Sequence, residues 1–280
     1  MSSDVLKNAI RAIVPRPLRN WLRSPSKSSE WLWDAARFSF GSVETLRVSP
    51  ACSIVCHPHA YRIAYRSQIA DPEESEEFKN FLSQCSAEMF LFDLGAHFGL
   101  FSLAATRCGG RAVAVDPSPV ATKMMAAQVA LNGFKDRIQI VQAAVSDSAG
   151  ALHMLSAGVF SDGYFRLVKG RSRKELTQTE ATTIDQLAQQ FGAPTHIKVD
   201  VEGHEAAALR GARDTLRSFA PTLFIELHNE LVTADGSNPN DALDELVQLG
   251  YGTYSLGGEA LGRSAILEKP IIRIVAKRVL

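Results

Sequence analysis

Phe90-Leu91-Phe92-Asp93-Leu94-Gly95-Ala96-His97-Phe98-Gly99-Leu100-Phe101 reads as a buried strand that ends in an acid, a turn of small residues, and the first turn of a helix. Such a unit lays backbone around a small ligand at the carboxyl edge of a parallel sheet, where open α/β folds bind their ligands. Glycine is needed where a side chain would block the turn or the ligand's approach. The acid narrows the ligand. A carboxylate at the end of the strand is a poor neighbour for a pyrophosphate and a good one for a cation.

Outward from this unit the chain alternates between strand and helix patterns. Phe90 to Leu94 is a strand and Phe98 to Arg107 a helix; Arg111 to Val115 is a strand and Pro119 to Asn132 a helix, stopped by Asn132-Gly133. Strands follow at Arg137 to Val141, Ile197 to Val201 and Thr222 to Leu227. Helices follow at Ile184 to Gln190, His204 to Leu216 and Asn240 to Leu249. This order predicts a parallel sheet covered on both faces. Tyr251 to Ser255 and Ile271 to Ala276, with no long helix between them, predict an antiparallel pair at one end. Upstream, residues 44 to 67 alternate as strands or a hairpin, and Asp71 to Leu82 reads as a helix with Phe78, Phe81 and Leu82 inward. Residues 146 to 180 are polar and irregular, with strand-like pieces around Leu152 and Phe165.

Composition bounds the function. Lys plus Arg equals Asp plus Glu at 30 each, which argues against a broad nucleic-acid surface. The hydrophobic share of 46% in 280 residues suffices for a real core. No run approaches the ~18 apolar residues of a membrane span, and no signal-peptide core is visible. Cys52, Cys56, Cys85 and Cys108 lack CxxC spacing, so the expectation is reduced thiols in a cytoplasmic protein. Cys52, Cys56, His57 and His59 cluster, but strand alternation splits them across two faces, which disfavours zinc. Residues 1–45 form a basic extension that holds all three tryptophans. It reads as an amphipathic segment touching a membrane surface or partner, as a helix packed on the domain at 46–280, or, more weakly, as an Arg- and Ser-rich organellar leader.

The loop spacing is G-x-x-x-G, not the G-x-G-x-x-G of a dinucleotide site. Asp116 ends the next strand about 20 residues on, where a carboxylate can hold a ribose diol, and Pro117 fixes the turn after it. A ribose, a sulfonium cation and no phosphate describe S-adenosylmethionine better than NAD. Asp93, Gly95, Ala96, His97 and Gly99 would then serve the methionine end, and backbone at Ala143 and Ala144 the adenine. His97 is equally readable as a hydrogen bonder at the helix start.

The stretch Ile197-Lys198-Val199-Asp200-Val201-Glu202-Gly203-His204-Glu205 carries a second signal. Alternation puts Lys198, Asp200 and Glu202 on one face of a strand that should be covered, and buried charge is costly unless paired or used. The next strand repeats the pattern with Phe224, Glu226 and His228. If the two strands are neighbours, Asp200, Glu202, Glu226 and His228 converge beside the glycine loop, with His204 at the next helix start. The cluster suits a general base, with Asp200, His204 and His228 as candidates. It also suits a divalent cation on Asp200, Glu226 and His228, or a structural ion network.

Asp93-Leu94-Gly95-Ala96-His97-Phe98-Gly99, Val115-Asp116-Pro117, Leu131-Asn132-Gly133, Thr183-Ile184-Asp185, Ile197 to Glu205, Leu209-Arg210-Gly211-Ala212 and Pro221 to Glu226 follow one another in a familiar order. The chain resembles the FkbM family of S-adenosylmethionine-dependent methyltransferases. The resemblance runs from about residue 75 to 276. It implies the Rossmann-like class I methyltransferase fold, a seven-stranded, mostly parallel α/β sheet with its last strand antiparallel, here with an N-terminal extension and hairpin. It also implies O-methylation of a hydroxyl on a sugar, glycan or polyketide-like molecule. The family usually has Asn where His97 stands and Glu where Asp116 stands. Two other classes compete: a metal-dependent hydrolase built on Asp200, Glu202, Glu226 and His228, and a non-catalytic binding protein on the same fold. An N-methyltransferase is disfavoured, because no N-P-P-Y-like motif is present.

Overall fold

The computed structural model describes residues 41–49, 52–66, 70–156, 165–167 and 176–279. The basic, tryptophan-rich segment therefore lies outside the described residues up to residue 40. The described chain opens with an antiparallel hairpin, β1 (Glu44–Ser49) and β2 (Cys52–Cys56). A helical turn, Pro58–Ala60, then runs into a π-helix, Tyr61–Tyr65.

The strand expected at Arg62 to Tyr65 is thus helical. His57 Nδ1 accepts the amide of His59, and Pro58 stands at the first helical position, a proline-compatible start. The edge of β2 is occupied by side chains instead. Asn132 bonds the amide and carbonyl of Val55, and Gln128 accepts the amide of His57.

Helix α1 (Pro72–Gln84) is capped by Asp71, which accepts the amides of Glu73 and Glu74. The alternating series follows as β3 (Phe90–Leu94), α2 (Leu100–Arg107), β4 (Arg111–Val115), α3 (Pro119–Leu131) and β5 (Ile138–Val141). Next come β6 (Ala144–Val145), β7 (Gly150–Ser156), β8 (Phe165–Leu167) and β9 (Leu176–Thr182), a small sheet in the order β6-β9-β7-β8. Its last long strand is nearly all polar, yet Thr179 and Ala181 are buried while Gln178 and Glu180 are exposed. The period of two is present without hydrophobic residues to advertise it.

The chain closes with α4 (Ile184–Phe191), β10 (His196–Val199), α5 (Glu205–Arg210), α6 (Arg213–Phe219), β11 (Thr222–Leu227), α7 (Asn229–Ala234), α8 (Asn240–Gln248), β12 (Tyr251–Tyr254), α9 (Arg263–Leu267) and β13 (Ile272–Arg278). The single helix expected from His204 to Leu216 is two. At Gly211 a Cβ would lie 2.2 Å from the Ser146 carbonyl oxygen, so the break is where another segment's backbone presses in. The strand expected to reach Val201 ends at Val199, and Asp200 and Val201 belong to the turn that follows.

The main sheet has the order β12-β13-β11-β10-β3-β4-β5. β11, β10, β3, β4 and β5 are mutually parallel, and β13 is antiparallel to both β11 and β12. Alternation supplies two cores. Phe92, Leu94, Ile197, Val199 and Ile225 face one layer; Leu91, Ala112, Ala114 and Phe224 face the layer of α1, α2 and α3. On that second face Phe81 meets Phe101 and Phe224 edge-on at 4.9 and 5.5 Å. Each such pair is worth about 0.5–1.5 kcal/mol beyond burial. No described helix is long and apolar enough to cross a membrane.

Candidate active site

The register places the site. In the sheet Lys198 of β10 stands beside Asp93 of β3 and Phe224 of β11, so the acids at or just past these strand ends meet along one carboxyl edge.

At β3, the Asp93 carboxylate accepts the amide and the hydroxyl of Ser102 at 3.0 and 2.6 Å. It thereby satisfies one of the unpaired amides at the start of α2 and fixes the loop between them. Burial pushes the Asp93 carboxyl up, opposed by Ser102 and Lys198. Within the loop Gly95 and Gly99 hold φ of 75° and 82°. A Cβ on Gly95 would lie 1.8 Å from the Asp200 carbonyl oxygen, and one on Gly99 2.8 Å from Met125 Cγ. Both glycines serve the turn and its packing.

At β4, Asp116 accepts the amides of His97 and Ser118, each at 2.8 Å, and is pushed up to about 7 by burial. Neither reading of His97 is carried by this bond, in which its amide donates to Asp116 at the end of β4 and not at a helix start. Its ring stacks on Phe98 at 3.8 Å and lines the cleft. The loop is held from outside by Tyr65, whose hydroxyl donates to the Phe98 carbonyl at 2.7 Å and accepts from Gln128.

Beyond β10 and β11 lies a network of charge. Lys198 is 3% exposed, with Nζ 3.0 Å from Asp200 Oδ2 and 3.7 Å from Glu77 Oε1. Arg273 of β13 reaches Glu226 at 2.9 Å and Glu77 at 3.4 Å. Burial works against the Asp200 carboxylate, but Lys198 and His228 outweigh it and hold it below its usual range. Burial and the charge of Asp200 push Glu226 up to about 7. His228 Nδ1 bonds Glu205 Oε1 at 2.8 Å. Its Nε2 faces Glu226, Glu202 and Asp200 at 3.6, 3.7 and 4.0 Å.

A cleft opens along this edge. Every residue expected at the cofactor except Gly99 lines it: Asp93, Gly95, Ala96, His97, Asp116, Pro117, Ala143 and Ala144. Asp200, Glu202, His204 and Glu226 line it too, whereas His228 does not. The His204 ring bonds the Ser146 hydroxyl at 3.0 Å. Sequence reasoning missed Glu205, Arg273 and Glu77. Two of the three left a trace: Arg273 is a charge on an apolar strand, on the same face as the buried Val275, and Glu77 lies four residues before Phe81 and so shares its buried helix face. Among the described residues, Asp200, Glu226 and His228 bring metal-ligating atoms within 4.8 Å of one another, and the cysteine–histidine group near β2 forms no such set.

A seven-stranded sheet with its last strand inserted antiparallel, and a cleft at the carboxyl edge of its central strands, define a class I methyltransferase. The family model for the FkbM methyltransferase domain matches residues 93–252, more than half of the chain, and the chain belongs to that family of S-adenosylmethionine-dependent methyltransferases. Among solved structures it is similar to a methyltransferase FkbM from Methylobacillus flagellatus, with 18% identity and a TM-score of 0.47 over 78% of this chain and 54% of that one. The chain thus spans about half of that protein's length. It is also similar to an O-methyltransferase from Bacillus cereus in complex with SAH, with 11% identity and a TM-score of 0.41 over 78% and 89% of the two chains. No curated protein matches it.

Proposed function

We propose that the protein transfers a methyl group to a hydroxyl oxygen of a small-molecule or glycan acceptor: a sugar, a glycan or a polyketide-like alcohol. The observation that carries this reading is the meeting of the Asp200 and Glu226 side chains in the wall of the cleft that also holds Asp93 and Asp116. An alcohol must lose its proton as its oxygen gains the methyl group, and these carboxylates stand where that proton can go.

The residues fit the cofactor. Six carboxyl groups line the cleft (Glu74, Asp93, Asp116, Asp200, Glu202 and Glu226) against two permanent cations, Lys198 and Arg273, which suits a positively charged sulfur. When bound, S-adenosylmethionine supplies a methyl group already activated on that sulfonium. Asp116, at the end of β4, would hold the ribose hydroxyls, with Ala143 and Ala144 beside the adenine. The loop from Gly95 to Gly99 would hold the methionine end, its shape set by the Asp93–Ser102 and Tyr65–Phe98 bonds. Positioning of this kind can supply roughly 7–11 kcal/mol of the barrier.

Asp200 and Glu226 would serve the acceptor hydroxyl in one of two ways, as proton acceptors or as ligands of a cation that polarises it. As a proton acceptor Glu226 is the better placed in energy, because its carboxyl is pushed up to about 7 while Asp200 is held low. His228 does not line the cleft and is pushed up to about 9, so it is charged at neutral pH in the apo protein and is no base there.

The test is a transfer assay with methyl-labelled cofactor across glycosides, lipid-linked sugars and polyketide alcohols, with amines as a control panel. Label appearing as an ether on a hydroxyl supports the reading. Label on nitrogen alone, or none on any acceptor despite bound S-adenosylhomocysteine, overturns it.

A further inference from the structure

We propose that Asp200, Glu226 and His228 form a binding site for one divalent cation of the Mn2+ or Mg2+ class, with Glu205 as the carboxylate that aims the histidine. The inference rests on reading the cleft as the site of transfer to a hydroxyl, and it assigns that site a metal.

The first observation is the histidine. His228 is 4% exposed, and its Nδ1 is committed to Glu205 at 2.8 Å. A carboxylate on one ring nitrogen fixes the tautomer and turns the other nitrogen toward a metal; metal-binding histidines almost always have such a partner. Here the other nitrogen, Nε2, makes no hydrogen bond. It points into three carboxylates that stand at 3.6, 3.7 and 4.0 Å, beyond hydrogen-bond reach. In the apo protein that nitrogen carries a proton within ion-pair distance of three acids but too far for a hydrogen bond to any of them; a cation seated between them would displace that proton to solvent and take its place.

The second observation is spacing. Two ligands ~2.1 Å from one ion stand ~3.0–3.5 Å apart at octahedral or tetrahedral angles. His228 Nε2 is 3.6 Å from Glu226 Oε1 and 4.0 Å from Asp200 Oδ1, and all three ligating atoms lie within 4.8 Å of one another. Small side-chain rotations close that gap. The cations already present leave part of the set to an ion. Lys198 uses Asp200 Oδ2, so Oδ1 faces the histidine; Arg273 donates to Glu226 Oε1, the oxygen nearest the histidine, so an ion would share that oxygen with the guanidinium or take Oε2.

The third observation is charge. Six carboxyl groups, several of them pushed up by burial, line the cleft against two permanent cations, and a cation at this edge would favour their ionised forms. A donor set of two carboxylates and an imidazole, with no thiolate, suits a hard divalent ion. Asp200 and Glu226 line the cleft, so such an ion would have an open side toward the acceptor hydroxyl and could lower its pKa.

The experiment is Mn2+ titration of the chelator-treated full chain, followed by electron paramagnetic resonance, in the presence of S-adenosylhomocysteine whose own binding is measured separately. The expected result is one Mn2+ per chain, with binding weakened at least tenfold in Asp200→Asn and in Glu226→Gln. Both variants should keep native circular dichroism and S-adenosylhomocysteine affinity. If either fails to fold, the wild-type stoichiometry and competition by Mg2+ decide the question. No stoichiometric Mn2+, or equal Mn2+ binding in folded variants, overturns the site. A chain that transfers methyl to a hydroxyl in chelator without loss of rate overturns the metal and leaves the transfer reading standing. A chain that binds Mn2+ through these residues but methylates no hydroxyl does the reverse.

Discussion

His228 and Glu205 are joined by a 2.8 Å hydrogen bond between side chains that are 4% and 2% exposed. The same Glu205 oxygen accepts the Gly203 amide at 2.9 Å. One carboxylate thus closes the turn after β10 and orients the residue that follows β11. Neither strand carries Glu205, yet it ties their two ends together at the cleft.

That bond sets the charge of the ring. Burial works against the imidazolium, but Glu205, then Asp200 and Glu202, outweigh it and push His228 up to about 9. A histidine raised above its unfolded value contributes stability fully present below about pH 6.5 and lost as pH rises through about 9, on the order of 3 kcal/mol for such a shift. In Glu205→Gln the amide still accepts from Gly203 but carries no charge. The metal-free variant should show a His228 imidazole titration at least one unit lower by NMR, and chemical unfolding less dependent on pH between about 7 and 9. An unchanged titration would remove Glu205 as the controlling group.

The proposed ribose contact would make cofactor binding sensitive to pH through Asp116. Burial raises its carboxyl to about 7 while it accepts the His97 and Ser118 amides, and only the ionised form would accept two ribose hydroxyls besides them. S-adenosylhomocysteine affinity should therefore rise as pH goes from about 6 to 8. Asp116→Ala should weaken binding by more than about tenfold, roughly 1.4 kcal/mol, and Asp116→Asn should flatten the pH dependence. Calorimetry at several pH values checks both. Wild-type affinity in the alanine variant would sink the ribose assignment.

The sheet was legible because its strands are apolar and its turns carry Gly, Asn or Pro. Arg111 to Val115 and Thr222 to Leu227 have the bounds that the pattern predicts. The cleft was legible because acids stand at or just past the ends of buried strands: Asp93, Asp116, Asp200 and Glu226 all line it. Three things were hidden. The strand Leu176–Thr182 is mostly polar, with five of its seven residues Thr, Gln or Glu, so its alternation carries little hydrophobic contrast. The π-helix Tyr61–Tyr65 replaces a strand because Gln128 and Asn132, some seventy residues away, take up the backbone edge of β2, which no local pattern records. The pairing of His228 with Glu205 depends on a turn whose Glu202 sits at φ 52°, in the left-handed region that strand periodicity does not anticipate.

Gly95 is confined by another segment's backbone, and substitution there should separate two strand ends. A Cβ would sit 1.8 Å from the Asp200 carbonyl oxygen, and the residue also holds φ of 75°. Gly95→Ala therefore combines overpacking, about 1–3 kcal/mol, with a left-handed backbone, about 1–2 kcal/mol. Gly133 has a similar φ of 72° and nothing within 4 Å of the added carbon, so Gly133→Ala should show the backbone cost alone. Thermal unfolding of the two variants should differ by several degrees, and Gly95→Ala alone should lose S-adenosylhomocysteine binding. Equal losses in the two would mean that the contact with Asp200 relaxes freely.

Lys198, in the cleft wall, and Glu77, behind it, test whether these charges are structural supports. Glu77 is 1% exposed, with Lys198 3.7 Å from one oxygen and Arg273 3.4 Å from the other. Burial pushes its carboxyl up, and Lys198 is the largest influence holding it down. Lys198→Met keeps the stem over Phe101, where the ammonium now sits 4.7 Å from the ring, and leaves Glu77 with Arg273 alone. Breaking a buried pair on one side costs about 3–5 kcal/mol; the remaining arginine places this loss at the lower end. Adding Glu77→Gln to Lys198→Met removes the stranded charge, so the double variant should unfold at a higher denaturant concentration than Lys198→Met. A double-mutant cycle should return a coupling above about 1 kcal/mol. A coupling near zero would show that Arg273 compensates fully and that Lys198 is held for Asp200 instead.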